Sequence, residues 1–282
     1  MYSPPDDAIR LRMEAAHQYA ARRLGVHCDG VLVWGDLGLT LSCRAGDQWL
    51  RVFSTKRTGA RPNGEGIVGA AALISGDVPR PRLHGSLDWA ADGFGYGADL
   101  LDFVPHPVIS PHRPDLVHDP DLSDEWWSTL RRAVIRLGQA QGVRTTVRDS
   151  WIEKAFPQFL GIPAPAKVER ATGHGDLHWG NLTAPLAILD WERWGLLPVG
   201  YDPGNLYVNS LLVPEVATRI RIEFADVLDT PAGRIGELIA LAEMLQAVAR
   251  GYYPELAPLL VARSAELTGV EPPVPVSSEI PA

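Results

Sequence analysis

Asp176, Asn181 and Asp190 place an acid, an amide and a second acid at short spacing in a largely apolar stretch of chain. All three offer hard oxygen atoms, the donors that magnesium prefers, and a carboxylate among them could also take up a proton. His174, Asp176 and His178 alternate as three side chains on one strand face would, which leaves a metal-dependent hydrolase open as a second chemistry. Residues 168–171 and 186–189 read as short strands. The segment from His174 to Asn181 is then a loop and Asp190 ends a strand, a placement that suits chemistry better than packing.

The stretch resembles the catalytic loop of the aminoglycoside phosphotransferase and choline kinase group, small-molecule relatives of the protein kinases. Its pattern H-G-D-x-H-x-x-N followed by I-x-D-W-E is met by His174, Gly175, Asp176, His178, Asn181, Ile188, Asp190, Trp191 and Glu192. The resemblance implies an α+β, two-lobed protein-kinase-like fold, with an antiparallel five-stranded sheet and a helix in the N-terminal lobe and a larger, mainly helical C-terminal lobe. It implies phosphoryl transfer from ATP or GTP, with Mg²⁺, to a hydroxyl of a small molecule. In that scheme Asp176 accepts or orients the hydroxyl proton, Asn181 and Asp190 hold the metal, and His174 braces the loop. His178 stands where protein kinases carry a lysine facing the transferred phosphate, so it either stabilises that charge or orders the loop. Glu192 supports the metal or the loop.

The elements that must position these residues can be read along the chain. Residues 6–24 carry Ile9, Met13, Ala16, Ala20 and Leu24 at helical spacing, with Gly25 beyond. Runs at 31–34, 39–43 and 49–53 read as a strand meander, and 82–85 and 98–104 complete five strands. By resemblance, the turn holding Gly35 and Gly38 covers the nucleotide phosphates, although any hairpin can turn on such residues. Arg51 takes the place of the kinase lysine, with Lys56 as its rival and Glu65, opening the next helix, as its partner. By the same resemblance, Asp102, Phe103 and Val104 are expected at the hinge, where backbone groups would meet the purine.

The proline-rich stretch 105–120 is an irregular connection, and His106, His112 and His118 in it read as solvated. Helices follow from Ser123 and across 151–160. Trp127 reads as core. After Asp190 the chain reaches the next helix in about a dozen residues, too few for a protein-kinase activation segment, so a small acceptor is expected. Asp202 is expected to cap or brace the helix it begins. Glu215, Glu223, Asp226, Glu237 and Glu243 could line a pocket for an amino-bearing substrate, although most helical acids are solvated.

The 282 residues, 46% hydrophobic and 21% charged, suffice for two lobes, placed at 1–104 and 105–268 with a loose tail at 269–282. The net charge of −8 disfavours nucleic acid and is compatible with a cationic substrate. No apolar run approaches a membrane span and no signal peptide is evident, so a cytoplasmic location is expected. Cys28 and Cys43 could adjoin across a hairpin and are expected to be reduced. Among acceptors, an aminoglycoside or other antibiotic is placed first, then a metabolite such as choline or a sugar. A nucleotide-binding protein without transfer activity is the remaining alternative.

Overall fold

The computed structural model describes residues 6–35, 38–56, 66–142 and 144–273. It divides into two units, one of Met1–Ala72 with Arg80–Pro105 and one of Leu73–Pro79 with His106–Ala282.

The first unit is a helix on a sheet. Helix α1 (Asp7–Leu24) starts where the Asp6 carboxylate accepts the Ile9 amide at 2.7 Å and stops at Gly25, whose φ of 70° a side chain would resist. Its apolar stripe of Met13, Ala16 and Ala20 packs on Leu41, Leu50, Val52, Tyr96, Ala98 and Leu100. These belong to strands β2 (Thr40–Ala45), β3 (Gln48–Thr55) and β5 (Phe94–Asp102). With β1 (Val33–Trp34) and β4 (Leu83–Ala91) they form an antiparallel sheet of order β1-β2-β3-β5-β4. Because Leu50 and Val52 face α1, the alternation of β3 turns Arg51 to the opposite face.

The five expected strands are present, but the last two are longer than the sequence suggested. They form one hairpin, turning at Asp92 (φ 50°) and Gly93 (φ 80°). An aspartate followed by glycine is a strong signal for such a turn, which needs positive φ at both central residues. Helix α2 (Gly66–Leu73) follows β3, while Glu65 lies outside the described residues. Both cysteines are free thiols; Cys43 donates to the Gly30 carbonyl at 3.1 Å, and burial, reinforced by Cys43, pushes the Cys28 thiol up to about 11.

The second unit is mainly helical. Helix α3 (Asp124–Gly138) is capped by Ser123 and buries Trp126, Trp127, Leu130 and Leu137. Helix α4 (Asp149–Ala155) runs into a π-helical turn, Phe156–Leu160, instead of continuing as the single helix expected over 151–160. Pro157 has no N–H to give the α-helical ladder, which accounts for the change. Helices α5 (Tyr201–Val208), α6 (Pro214–Glu223), α7 (Ala225–Leu228), α8 (Pro231–Val248) and α9 (Ala257–Thr268) complete it. Residues Ile239, Ala240, Leu241 and Ala242 of α8 are all fully buried, so the middle of this helix is enclosed on every side and forms the axis of the core.

A two-stranded ribbon, β6 (Arg170–Gly173) against β7 (Gly195–Pro198), carries the chain into and out of the motif region. Residues 186–189 form no strand; a single bridge, Leu182 to Ile188, stands there instead. The proline-rich connection lies along this region through the Val108–Thr183 bridge, with His106, His112 and His118 exposed. No described helix is long and apolar enough to cross a membrane.

Candidate active site

The loop from His174 to Asn181 is held from beneath by α5. The buried Asp202 carboxylate accepts the backbone amides of His174 (2.6 Å) and Gly175 (2.9 Å). Burial raises this carboxyl above its ordinary value, against the pull of His174 and the two amides. Three residues on, Asn205 donates to the Leu177 carbonyl at 3.2 Å, and Ser210 accepts the indole N–H of the fully buried Trp179 at 2.8 Å. Asp202 therefore braces the loop; the sequence reading had it bracing its own helix, where it makes no cap. Asn205, one helical turn further along the same face, was not foreseen.

Gly175 adopts a φ of 82°, and a Cβ there would stand 2.3 Å from the Arg193 carbonyl. This position thus has no room for any side chain. His174 is fully buried beneath the loop. Its Nδ1 accepts the Asp176 amide at 3.3 Å, so Nε2 carries the proton and donates to the Leu189 carbonyl at 2.8 Å, while Trp191 packs edge-on at 4.8 Å. With both ring nitrogens engaged, His174 has none left for a metal. Among the described residues no three His, Cys, Asp or Glu side chains are grouped to hold one, which removes the support for the His174, Asp176 and His178 hydrolase set.

Asp176 sits on the loop with its side chain 28% exposed, accessible to a reacting molecule. His178 Nδ1 accepts the Gly180 amide at 3.1 Å, which leaves Nε2 to face the Asp176 carboxylate at 3.6 Å. Arg193 approaches the other carboxylate oxygen at 3.7 Å. Burial by itself would raise the Asp176 carboxyl; the hydrogen bond and charge of His178 and the charge of Arg193 outweigh it and hold it down at about 2. The group is a stable anion flanked by two cationic or cation-forming side chains.

Asn181 uses its amide nitrogen inside the site, donating to the Asp176 carbonyl at 2.9 Å, and this turns its carbonyl oxygen outward. The Leu189 amide donates to the Asn181 carbonyl at 2.8 Å, so the chain returns beside Asn181 immediately before Asp190. The short return from Asn181 to Asp190 is made by the Thr183 hydroxyl, which donates to the Pro185 carbonyl and accepts the Ala187 amide. Asp190 itself has a φ of 60°, uncommon for a residue with a side chain and concentrated at functional positions. Two side chains offering oxygen and no sulfur suit magnesium, which completes its shell with water and phosphate oxygens.

Arg193 was missed by the sequence reading, although it directly follows Trp191 and Glu192. Its Nη2 donates to Glu243 at 3.0 Å, and the buried Tyr201 hydroxyl donates to the same carboxylate. Other acids considered for a substrate pocket are occupied elsewhere. The fully buried Glu237 accepts from Arg221 (2.9 Å) and Arg263 (2.7 Å), Glu223 accepts from Arg219, and Asp226 from Arg131. Of these, Glu243 lines a cavity of about 420 Å³.

The nucleotide-binding candidates lie in the first unit. Arg51 stands in register with Asp99, a buried acid directly opposite on the same face of the sheet and a partner the sequence reading did not consider. The Gly35 amide donates to the Thr40 carbonyl and the Gly38 amide to the Gly35 carbonyl, so both are engaged inside their own turn. At the expected hinge, the Asp102 amide donates to the Arg82 carbonyl and that of Phe103 to the Asp47 carbonyl, while the Asp102 carboxylate meets His84 at 2.5 Å. Val104 then offers the one hinge amide of the three without a backbone acceptor among the described residues. Lys56 is exposed at the end of β3.

No family model and no curated protein sequence matches the chain. Solved structures do. A thermostable mutant of aminoglycoside phosphotransferase APH(4)-Ia, in ternary complex with ADP and hygromycin B, matches with a TM-score of 0.58 at 12% identity, over 90% of this chain and 97% of that one. Amicoumacin kinase hAmiN, in complex with AMP-PNP, Ca²⁺ and its antibiotic, matches at 0.57 and 9% identity over 95% and 98%. A choline/ethanolamine kinase family protein from Mesorhizobium loti matches at 0.53 and 17% identity over 90% and 95%. The chain has the α+β, two-lobed fold of the small-molecule phosphotransferases that its catalytic-loop motif resembles.

Proposed function

We propose that the protein is a small-molecule kinase that moves the γ-phosphoryl group of ATP or GTP to a hydroxyl of its acceptor. The observation that carries this reading is Asp176, an accessible carboxylate held ionised by His178 and Arg193, on a loop that ends at Asn181 and whose chain returns beside Asn181 immediately before Asp190. Phosphoryl transfer needs little covalent help from a protein; it needs the reactants held in line and the charge on the phosphate oxygens neutralised.

The acceptor hydroxyl would give its proton to Asp176 as its oxygen bonds to the γ-phosphorus. The bond from that phosphorus to the bridging oxygen breaks, and the nucleoside diphosphate leaves with the electron pair. His178, with Nε2 directed at the same locus, would fix the carboxylate and meet charge on the phosphoryl group. Asn181 and Asp190 would hold Mg²⁺, which when bound neutralises phosphate charge. Arg51 is assigned to the nucleotide phosphates, with Asp99 beside it in the role expected of Glu65. Antibiotics stand first among acceptors because the solved structures of this fold include kinases named for an aminoglycoside and for amicoumacin. A metabolite such as choline or a sugar stands second.

A panel of hydroxylated compounds scored for ADP release and for product mass tests the reading. Asp176→Asn should retain nucleotide binding and abolish acceptor-dependent release. If no compound provokes release while Mg-ATP still raises the melting temperature, the protein is a nucleotide-binding module instead. The engagement of the Gly35 and Gly38 amides within their turn favours that second reading, since it withdraws two donors from the phosphates.

A further inference from the structure

The cavity bordered by Glu243 has a charge opposite to that of the chain. Its lining includes Thr146, Arg148, Ser150, Trp151 and Lys154 besides Glu243. Glu243 is the one acid there, and its charge is met by Arg193 and by the Tyr201 hydroxyl. Arg148 and Lys154 are exposed, and neither has an ion pair among the described residues. In a protein of net charge −8 this cavity is therefore basic.

Helix α4 sorts its charges to make it so. Ser150, Trp151 and Lys154 fall on the face that lines the cavity, whereas Asp149 and Glu153 line a separate recess with Arg170, which pairs with Asp149 at 2.5 Å. A helix of 3.6 residues per turn puts 150, 151 and 154 on one side and 149 and 153 on another. The opposite wall is tied to the candidate active site. The Thr146 amide donates to the Leu196 carbonyl at 3.3 Å, and Arg144 donates to the carbonyls of Glu192 and Trp194, on either side of Arg193. From the cavity the path to the base is short: Glu243, then Arg193 at 3.0 Å, then Asp176 a further 3.7 Å on. The Thr146 hydroxyl oxygen is buried with no hydrogen-bond partner among the described residues, a condition that a ligand hydroxyl would relieve.

Resting on the phosphotransfer reading, we propose that this cavity is the acceptor subsite and that it selects hydroxylated molecules bearing an acidic group, a carboxylate or a phosphate, over polycations. Arg148 and Lys154 receive the acidic group, the Trp151 ring supports the scaffold, and Thr146 and Ser150 meet its hydroxyls. Of the five helical acids that might have drawn an amino-bearing acceptor, Glu223, Asp226, Glu237 and Glu243 are met by arginines, and the exposed Glu215 lies outside the cavity lining. The acidic overall charge of the chain gives no guide to this site.

Titration calorimetry of the full chain without nucleotide tests the proposal, using four probes on one scaffold: glucuronate, glucose 6-phosphate, glucose and glucosamine, with kanamycin as a polycation. One of the two acids should bind at least tenfold more tightly than glucosamine, and whichever does names the acidic group. Added salt should weaken that binding. Arg148→Gln with Lys154→Gln should abolish the preference, and Arg148→Glu with Lys154→Glu should invert it. The proposal is overturned if neither acid binds, if glucosamine or kanamycin binds as tightly as the acids, or if the glutamine variant keeps the preference. Acceptor-dependent ADP release separates the two levels of inference. Release with kanamycin and no binding of either acid leaves phosphotransfer standing and removes the charge selection. Charge-dependent binding of an acid with no release from any compound does the reverse.

Discussion

Two glycine-bearing turns, at Gly175 and at Gly38, use glycine for opposite ends. At Gly175 the missing side chain lets one loop press on another, within 2.3 Å of where a Cβ would stand, and the freed geometry points Asp176 outward. At Gly38 the φ of 65° is also positive, but its amide is spent on the Gly35 carbonyl, as that of Gly35 is on the Thr40 carbonyl. The loop at 174–181 is anchored by Asp202 and Asn205 from the buried helix α5 and by Ser210 just past its end, so its shape is set by the core rather than by local turn chemistry. The lesson is that the motif is specific because packing over-determines it, while the turn is generic because local bonding suffices.

The largest expected effect falls on the loop. Asp176→Asn should lower acceptor-dependent ADP release by about 10²–10⁴-fold, the range for removing a positioned acid–base group, with the Mg-ATP affinity kept. An equal loss from a change at the Gly35–Gly38 turn would erase the contrast. Next, Asp202→Ala strips two buried amides of their acceptor and should cost at least ~2 kcal/mol in urea unfolding. Gly175→Ala should cost a comparable ~1–2 kcal/mol for its left-handed backbone alone, with activity falling further because Arg193 must shift. Urea midpoints and turnover measured together separate the two terms.

A smaller, pH-dependent effect follows from Asp176. Its folded-state value of about 2 lies below the ordinary carboxylate value, so its contribution is fully present above about pH 4 and is lost as pH falls toward 2. Acid titration of stability should therefore be shallower over that window in Asp176→Asn than in the natural chain. The smallest effect is expected of Gly38→Ala, about 1 kcal/mol of stability, with Mg-ATP affinity changed by less than ~0.7 kcal/mol, or threefold. A larger change in affinity would show that this turn serves the nucleotide after all.

Much of this architecture was legible in the chain. The Ser123 cap of α3, the Gly25 stop of α1 and the apolar periods located these two helices, because local chemistry decides those ends. The dense motif located the loop and the return from Asn181 to Asp190. Long-range partners were not legible. Nothing near Asp176 in sequence announces Glu243 or Tyr201, and nothing near Arg51 announces Asp99, which is brought opposite only by strand register. The β4–β5 hairpin was passed over because Gly95 and Gly97 dilute the strand pattern of β5, although β4 alternates regularly and Asp92 and Gly93 carried the turn signal.

The bracing of the loop by residues far ahead in the chain also sets when the site can exist. His174 and Gly175 depend on Asp202, 28 and 27 residues later, and Arg193 depends on Glu243, 50 residues later. Such distant closures carry loop entropy that must be met before any contact returns it. During synthesis, the nascent chain would hold the whole motif outside the ribosome and still lack an assembled base until α8 has emerged and docked. A chain arrested or cut short before residue 243 would then carry the signature of a kinase without its working geometry.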